Sequence, residues 1–262
     1  MYRRDLRRLK SANPDADLNS KVIRIGCAGW NIPRETVAQV EGMTHLERYS
    51  RIFNCCEINS SFYRPHKYST WERWYAAVPE DFRFSVKVPR IITHEVELKC
   101  APDDLTAFLK QVSFLRQNLG ALLVQLPPRC IFDSAITKRF FTLLRERHDG
   151  DVVLEARHET WFEPEANDLL RDFKIAGVAA DPACVPAAGH PSGFGEVVYY
   201  RLHGSPRRYY SSYSGEFLKA TASRIANLAG GVRAWCIFDN TAAGFATSNA
   251  LQLNEVIGKG VR

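Results

Sequence analysis

The chain lacks long apolar segments, and no stretch of its 262 residues approaches the roughly 20 apolar residues that a membrane-spanning helix needs. The charged opening residues, Met1 to Lys10, are not followed by the apolar core of a secretory signal. We therefore expect a cytoplasmic protein that makes no membrane contact.

Metal-binding cysteine motifs are also missing. The chain has seven cysteines but no Cys-x-x-Cys pair, whereas zinc and iron–sulfur sites normally gather their thiolates locally. Several cysteines lie inside apolar runs, among them Cys55, Cys56 and Cys236. The pattern predicts small buried residues in a reducing compartment rather than metal ligands.

Excess positive charge is concentrated at the N-terminus. The formal net charge is +6, and the first ten residues hold five cations against Asp5. We expect residues 1–20 to form a basic, disordered arm and residues 21–262 to form one domain. Because the first ten residues carry +4 and the remaining 252 carry only +2, the basic isoelectric point alone does not indicate a nucleic-acid partner.

Short apolar runs alternate with amphipathic segments from Val22 onward. The runs are nearly continuous in Val, Ile, Leu, Phe and Cys, which is typical of strands that are covered on both faces. Eight runs are predicted as strands: Val22–Cys27, Cys55–Ile58, Phe82–Val88, Ala121–Leu126, Val152–Ala156, Ile175–Ala180, Val197–Leu202 and Val232–Phe238.

The segments between these runs have helical periodicity. One combines an apolar stripe from Trp71 to Val78 with a capping box that begins at Ser69. A second stripe covers residues 105–119 and is predicted to end at Gly120, and a third covers residues 136–144. The last covers residues 249–257 and is predicted to end at Gly258.

Eight strand–helix units of about 30 residues predict an α/β fold, a single-domain (β/α)8 TIM-like barrel. Residues 181–196 contain three prolines and three glycines, so helix six is predicted to be weak or replaced by a loop. A doubly wound open sheet is the alternative, but it usually has a Gly-rich first turn, and the segment Gly26–Gly29 matches that pattern poorly.

Polar residues stand where the predicted strands end, which is where barrels of this kind carry their chemistry. Three i, i+2 pairs place both members on one strand face, pointing into the barrel mouth: Glu57 and Asn59, Glu155 and Arg157, Arg201 and His203. At the eighth strand, parity does not decide whether Asp239 or Asn240 points inward. Buried ion pairs that only fill the barrel would also explain these charges.

Several motifs follow one another in order at the strand ends. They are Ile25-Gly26-Cys27-Ala28-Gly29-Trp30, Glu57-Ile58-Asn59-Ser60-Ser61-Phe62-Tyr63-Arg64, Gln125-Leu126-Pro127-Pro128, Glu155-Ala156-Arg157-His158, Arg201-Leu202-His203-Gly204 and Phe238-Asp239-Asn240-Thr241. Together they resemble the YecE-like family, the domain of unknown function 72, although an asparagine is expected where Asp239 stands. The resemblance implies a TIM-like barrel and no established activity.

The cations at the predicted mouth, Arg90 among them, favour an anion site. The arginine fork suits phosphate, and many barrels bind phosphate in the loops after strands seven and eight. We predict an enzyme, a hydrolase or lyase, acting on a small phosphate-bearing substrate, with a nucleotide or nucleic acid as one form of it. The predicted substrate-binding residues are Asn59, Lys87, Arg157, Arg201, Arg207 and Asn240.

Acid–base chemistry is assigned to the carboxylates and to the histidine. Glu57 and Glu155 are predicted as general acid and base, since two carboxylates in different environments can divide those roles. His203 is predicted to shuttle a proton or to bind a metal.

Three alternatives stay open. A divalent metal, as in a metal-dependent hydrolase or isomerase, would take ligands from Glu57, Glu155, Asp181, His203 and Asp239. Lys87 could attack a carbonyl as a Schiff-base lysine. A non-enzymatic nucleic-acid-binding protein would use the tyrosines that follow Arg207 and Arg208. The sequence decides neither the cofactor nor the oligomeric state.

Overall fold

The structure is a computed structural model that describes residues 21–33, 36, 40 and 42–260. The predicted basic arm, residues 1–20, lies outside the described residues. In the described part of the chain, ten strands form one sheet: β1 (Val22–Ala28), β2 (Cys55–Ile58), β3 (Arg83–Lys87), β4 (Leu119–Gln125), β5 (Asp151–Glu155), β6 (Ile175–Gly177), β7 (Ala179–Asp181), β8 (Ser192–Gly193), β9 (Val197–Leu202) and β10 (Arg233–Phe238).

The sheet has the order β7-β9-β10-β1-β2-β3-β4-β5-β6-β8, and its strands pair in parallel except that β8 is antiparallel to β6. β6 pairs with β5 and β7 pairs with β9, although only Val178 separates β6 from β7. One chain segment therefore joins both sides of the sheet and makes it a nearly closed barrel. The predicted TIM-like barrel is confirmed, with the sixth predicted strand split into β6 and β7.

Helices follow most strands and cover the outside of the barrel. They are α1 (His45–Ser50), α2 (Ser60–Tyr63), α3 (Tyr68–Ala76), α4 (Pro102–Val112), α5 (Ser134–Arg145), α6 (Pro164–Asp172), α7 (Gly215–Ala226) and α8 (Phe245–Gly260). Within the described residues, none of the helices is both long and apolar enough to cross a membrane.

The connection between β7 and β9 contains a 3₁₀ turn at Pro186–Gly189 and the short strand β8, with no α-helix in residues 182–196. This confirms that helix six is replaced by a loop. Proline at the start of the turn cannot donate the backbone hydrogen bond that a longer helix would need.

Three predicted helix boundaries are wrong. α3 begins at Tyr68, so Ser69 lies inside it and the side chain of the N-cap residue, Lys67, makes no capping bond. The stripe before Gly120 divides at residue 112 into α4 and a 3₁₀ turn with Arg116 at φ +49°, and Gly120 lies inside β4. α8 continues through Gly258.

The barrel interior is apolar at its lower end. Tyr199 stacks on Trp235 with ring centroids 5.8 Å apart, and Leu123, Val153 and Ile237 are fully buried beside them. All seven cysteines are free thiols, and all but Cys184 are buried. Above this apolar layer, toward the carboxyl ends of the strands, the interior becomes charged.

Candidate functional site

A buried guanidinium stands at the centre of the charged layer. Arg201, at the end of β9, is 1% exposed. Its Nε lies 3.1 Å from each carboxylate oxygen of Glu57, and its Nη2 lies 2.7 Å from Glu57 Oε1. Nη1 is 2.8 Å from Glu155 Oε2, and Nη2 is 3.1 Å from Asp239 Oδ2. One arginine thus contacts carboxylates from three different strand ends.

Strand alternation explains why these side chains meet. Glu57, Glu155 and Arg201 occupy inward positions of parallel strands, and the strands end at the same edge of the barrel. Asp239 is the residue after β10 that joins them. Asn240 instead donates from Nδ2 to Ser211 O and to Asn249 Oδ1, at 3.0 and 2.9 Å, which resolves the parity left open by the sequence.

Glu57 forms the floor of the layer. Its side chain has no exposed surface, and its Oε2 also accepts a 2.8 Å hydrogen bond from the hydroxyl of Tyr199. The same hydroxyl lies 2.9 Å from Ser85 Oγ. Glu57 is therefore held by Arg201 and Tyr199 below the level that a ligand in the mouth could contact.

His203 lies between two carboxylates. Its Nδ1 is 2.9 Å from Asp239 Oδ2, its Nε2 is 3.1 Å from Glu155 Oε1, and the residue is 1% exposed. Burial alone lowers the pKa of His203, but Glu155 and Asp239 raise it above the usual value. With an acceptor at each ring nitrogen, the imidazolium form satisfies both contacts.

The partners of these carboxylates keep them ionised. Burial raises the pKa of Glu155 and of Asp239, but Arg201 and His203 lower both pKa values more strongly. Arg157 adds a second guanidinium to Glu155, with Nη2 2.9 Å from Oε1. Three carboxylates, two arginines and one imidazolium make the network electrically balanced, which a buried charge cluster requires.

A cavity of about 320 Å³ opens beside this network at the barrel mouth. Its lining contains four cations and a single carboxylate. Arg157 already belongs to the balanced network, so the other three cations leave an excess of two positive charges when the lysine is protonated. The lining residues are Phe62, Tyr63, Lys87, Arg90, His94, Glu95, Gln125, Arg129, Arg157 and Tyr209. They come from the ends of β3, β4 and β5, from α2, and from the connections after β3, β4 and β9.

Lys87, the last residue of β3, is 8% exposed. Its Nζ lies 4.0 Å from the ring centroid of Phe62, and within the described part of the chain it has no carboxylate oxygen within 4.0 Å. Burial lowers the pKa of Lys87 and Arg201 lowers it further, while the three carboxylates of the network partly offset this. The resulting pKa is about 8.

Residues with positive φ place side chains in two walls of the cavity. Glu97 and Leu98, in the loop after β3, both have positive φ, and Glu97 accepts a 2.6 Å hydrogen bond from Arg129. Tyr209, in the loop after β9, has φ +70° and packs edge-on against His203. Non-glycine residues in this conformation cost about 1–2 kcal/mol each and concentrate at functional sites.

His94 supplies a neutral wall. Burial lowers its pKa to about 4, with help from the neighbouring charges of Lys87 and Arg157. Its ring packs edge-on against Phe62, with centroids 4.8 Å apart, and its Nε2 lies 3.4 Å from Gln125 Nε2.

The structure brings together five of the predicted site residues in one network, with Lys87 at the cavity beside them: Glu57, Glu155, Arg157, Arg201 and His203. It does not place three others in the cavity wall. Asn59 caps α2 without a side-chain hydrogen bond, Arg207 stacks on Tyr210 in an exposed loop, and Asn240 is committed to Ser211 and Asn249. Arg207 does not line the cavity, although Tyr209 of the same loop does.

Sequence reasoning did not assign four wall residues to this anion site: His94, Gln125, Arg129 and Tyr209. Gln125 ends β4 and could have been found by the same alternation that identified Glu155. The other three lie in the connections after strands, where side-chain direction has no fixed period. The alternation of side chains along a strand therefore cannot predict where these three side chains point.

The donor set does not favour a divalent metal. Among the described residues, no group of three or more His, Cys, Asp and Glu side chains is arranged to hold one. The space between Glu57, Glu155 and Asp239 is filled by the guanidinium of Arg201. Asp181, a further predicted ligand, accepts a 2.8 Å hydrogen bond from the Tyr213 hydroxyl.

Comparison with curated proteins gives partial matches. The chain is 37% identical to UPF0759 protein YecE of Escherichia coli over 106 residues, which cover 40% of this chain and 38% of that protein. It is 28% identical to UPF0759 protein YunF of Bacillus subtilis over 168 residues, 59% of this chain and 57% of that one. The chain thus matches about two fifths to three fifths of these relatives' lengths.

Solved structures match over nearly the whole fold. A DUF72 family protein from Thermotoga maritima has a TM-score of 0.75 and 26% identity, covering 90% of this chain and 99% of its own. A DUF72 family protein from Enterococcus faecalis, at 20% identity, has a TM-score of 0.76 with coverages of 90% and 96%, and it supports the fold. The family model for the protein of unknown function DUF72 matches residues 24–262. The chain therefore belongs to the DUF72 family.

Proposed function

We propose that this protein is an enzyme that binds a small anionic, phosphate-bearing substrate in the cavity at the carboxyl end of the barrel. The observation that carries the proposal is the lining of that cavity, where four cations face a single carboxylate. A volume of about 320 Å³ suits a small ligand. Such an excess of charge in a partly enclosed, low-dielectric site attracts anions strongly.

Arg157 and Lys87 contact the anion in this proposal. Arg157 keeps a side-chain exposure of 16% while Glu155 holds its guanidinium through Nε and Nη2. The planar group is thereby fixed in orientation and still accessible, as bidentate binding of a phosphate requires. Arg90 and Arg129, at the rim, add attraction that salt screens.

Proton transfer falls to the upper part of the network. Asp239 has 11% of its side chain exposed, against 2% or less for Glu57, Glu155, Arg201 and His203. The imidazolium of His203 donates to Asp239, so the pair can exchange a proton with a substrate through the more exposed carboxylate. Glu57 and Glu155, predicted as general acid and base, take supporting roles here because they hold Arg201, Arg157 and His203 in place.

A nucleotide or nucleic acid is a specific form of this ligand. Arg207 stacks over the ring of exposed Tyr210 at 4.1 Å, and Tyr209 is also exposed next to the cavity. Exposed aromatic rings beside arginines are the elements that hold bases and phosphates of single strands.

The test is a thermal-shift series with inorganic phosphate, sugar phosphates, nucleotides and short oligonucleotides. A ligand at a hundred times its Kd adds about 2.7 kcal/mol to the free energy of unfolding, which raises the Tm by several degrees. We expect Arg157→Gln to abolish the shift. Arg171→Gln removes the same charge from an exposed helix pair and should retain it. Equal shifts in both variants would show general electrostatics and refute the site.

A further inference from the structure

Lys87 has an unusual position among the cations of the cavity. Each of the three arginines that line it pairs with a glutamate, Arg90 with Glu95, Arg129 with Glu97 and Arg157 with Glu155. Within the described residues, Nζ of Lys87 forms neither a hydrogen bond nor an ion pair, and its nearest partner is the face of Phe62. An aromatic face attracts an ammonium but accepts no directional hydrogen bond comparable to that of a carboxylate.

The surroundings of Lys87 favour an accessible neutral amine. Among its interior neighbours, Arg201 disfavours the ammonium. Glu57, Glu155 and Asp239 favour it, but Arg201, Arg157 and His203 already balance their charges. The nearby groups His94 and Arg157 are neutral and cationic, respectively. At pH 7, with a pKa of about 8, about a tenth of the amine is neutral, against well under a hundredth for an exposed lysine.

The backbone around Lys87 directs Nζ into the cavity. Ser85, two residues earlier on β3, contacts the Tyr199 hydroxyl inside the barrel, so strand alternation turns Lys87 to the same interior side. The carbonyl oxygen of Lys87 accepts a 2.7 Å hydrogen bond from Ser61 Oγ, which fixes the end of the strand. The amine is thus presented by a rigid element rather than by a loop.

We infer that Lys87 is a covalent catalytic residue that forms an imine with a carbonyl group of the substrate. The neutral amine attacks the carbonyl carbon to give a carbinolamine. Uptake of one proton from solvent and loss of one water molecule then give the protonated imine, with no change of oxidation state. This rests on the proposed function and names its substrate class, a phosphate-bearing aldehyde or ketone.

The arrangement assigns different roles to the two kinds of cation. Arginine stays protonated at physiological pH and has no nucleophilic lone pair, so it can bind a phosphate but cannot attack a carbonyl carbon. A lysine in a desolvated position beside another cation is the setting in which an amine becomes a nucleophile near neutral pH. The cavity contains both, with Arg157 and Lys87 lining the same space.

The inference is tested by trapping the imine. The full chain is incubated near the Lys87 pKa of about 8 with dihydroxyacetone phosphate or pyridoxal 5′-phosphate, and cyanoborohydride reduces any imine to a stable secondary amine. Peptide mapping by mass spectrometry compares Lys87 with Lys99, an exposed lysine after β3 that serves as the internal control. We expect labelling of Lys87 to exceed that of Lys99 by at least about tenfold.

Variants and probes separate the two proposals. Lys87→Arg removes the amine and should abolish the label on the peptide that contains position 87, while the label on Lys99 stays unchanged. Labelling of Lys87 no faster than Lys99 overturns the imine, whatever the phosphate result. Equal labelling of Lys87 by dihydroxyacetone and by its phosphate, with no thermal shift from phosphate, would keep the imine and overturn the anion site.

Discussion

Single residues of the charged layer contribute to the stability of the fold, and this contribution can be measured separately from any reaction. Arg201 is buried against Glu57, Glu155 and Asp239, so each carboxylate compensates a charge that water cannot reach. Removing one member of such a buried network leaves its partner uncompensated, which costs far more than losing an ion pair at the surface.

Glu57→Gln should destabilise the protein strongly. The amide cannot carry the charge that Arg201 faces at 2.7 Å, so we expect the free energy of unfolding to fall by about 3–5 kcal/mol. Urea denaturation measures it, with Asp168→Asn as the control. Asp168 pairs with Arg171 at the surface, and its loss should cost about 1 kcal/mol or less. A cost for Glu57→Gln as small as that of the control would contradict the network.

The protonation of His203 gives a pH signature. Because its folded-state pKa is raised, its contribution to stability is complete below the unfolded value of about 6.5 and is lost as pH rises through the folded-state pKa. The stabilisation that comes from the lowered pKa values of Glu155 and Asp239 is lost only where the pH falls below about 4. It therefore stays constant over the pH range in which His203 titrates. The difference in unfolding free energy between wild type and His203→Gln should therefore shrink from pH 6 toward alkaline pH. A difference that grows over this range would show that His203 is neutral in the folded protein.

At the scale of elements, the barrel depends on close approaches that local sequence patterns do not reveal. Gly120 lies in β4 where an added Cβ would come within 2.6 Å of Trp235 and 2.9 Å of the Cβ of Arg83. Trp235 is 2% exposed and stacks on Tyr199, so it cannot move aside.

Gly120→Ala should therefore destabilise the protein by about 1–3 kcal/mol through overpacking. Gly195→Ala is the matched control, because Gly195 has ordinary φ and nothing within 4 Å of the added Cβ. It should change the unfolding free energy by about 1 kcal/mol at most. Equal Tm values for the two variants would contradict this prediction, because they would mean that β4 moves away from Trp235 with no loss of stability.

The same contacts explain why the sequence predicts the strands but not all of the helix ends. Burial on both faces marks the parallel strands, and the i, i+2 spacing alone identifies Glu57, Glu155 and Arg201 as inward residues. Glycines are weaker guides to helix ends, because Gly120 is required by Trp235, which is distant in sequence. Tertiary contacts of this kind override local signals.

The whole molecule combines a neutral interior network with a cationic mouth. The network is balanced with Arg157 included, so the excess positive charge that the lining offers a ligand comes from Lys87, Arg90 and Arg129 against Glu95. The sequence predicts that the mouth is charged and contains cations, because cations and carboxylates stand at the ends of the predicted strands. It does not predict that Arg129, His94 and Tyr209 come from the connections after strands to complete the wall, since loop paths depend on the assembled fold.

The most direct test of the anion site is to locate a bound oxyanion by crystallography. Selenate is a tetrahedral dianion of nearly phosphate size, and selenium gives an anomalous signal that identifies it without ambiguity. We predict an anomalous peak in the mouth cavity, within hydrogen-bond distance of Arg157 and Lys87, that disappears in Arg157→Gln crystals soaked in parallel. Selenate bound only at other surfaces, with the mouth cavity holding none at saturating concentration, would contradict the account.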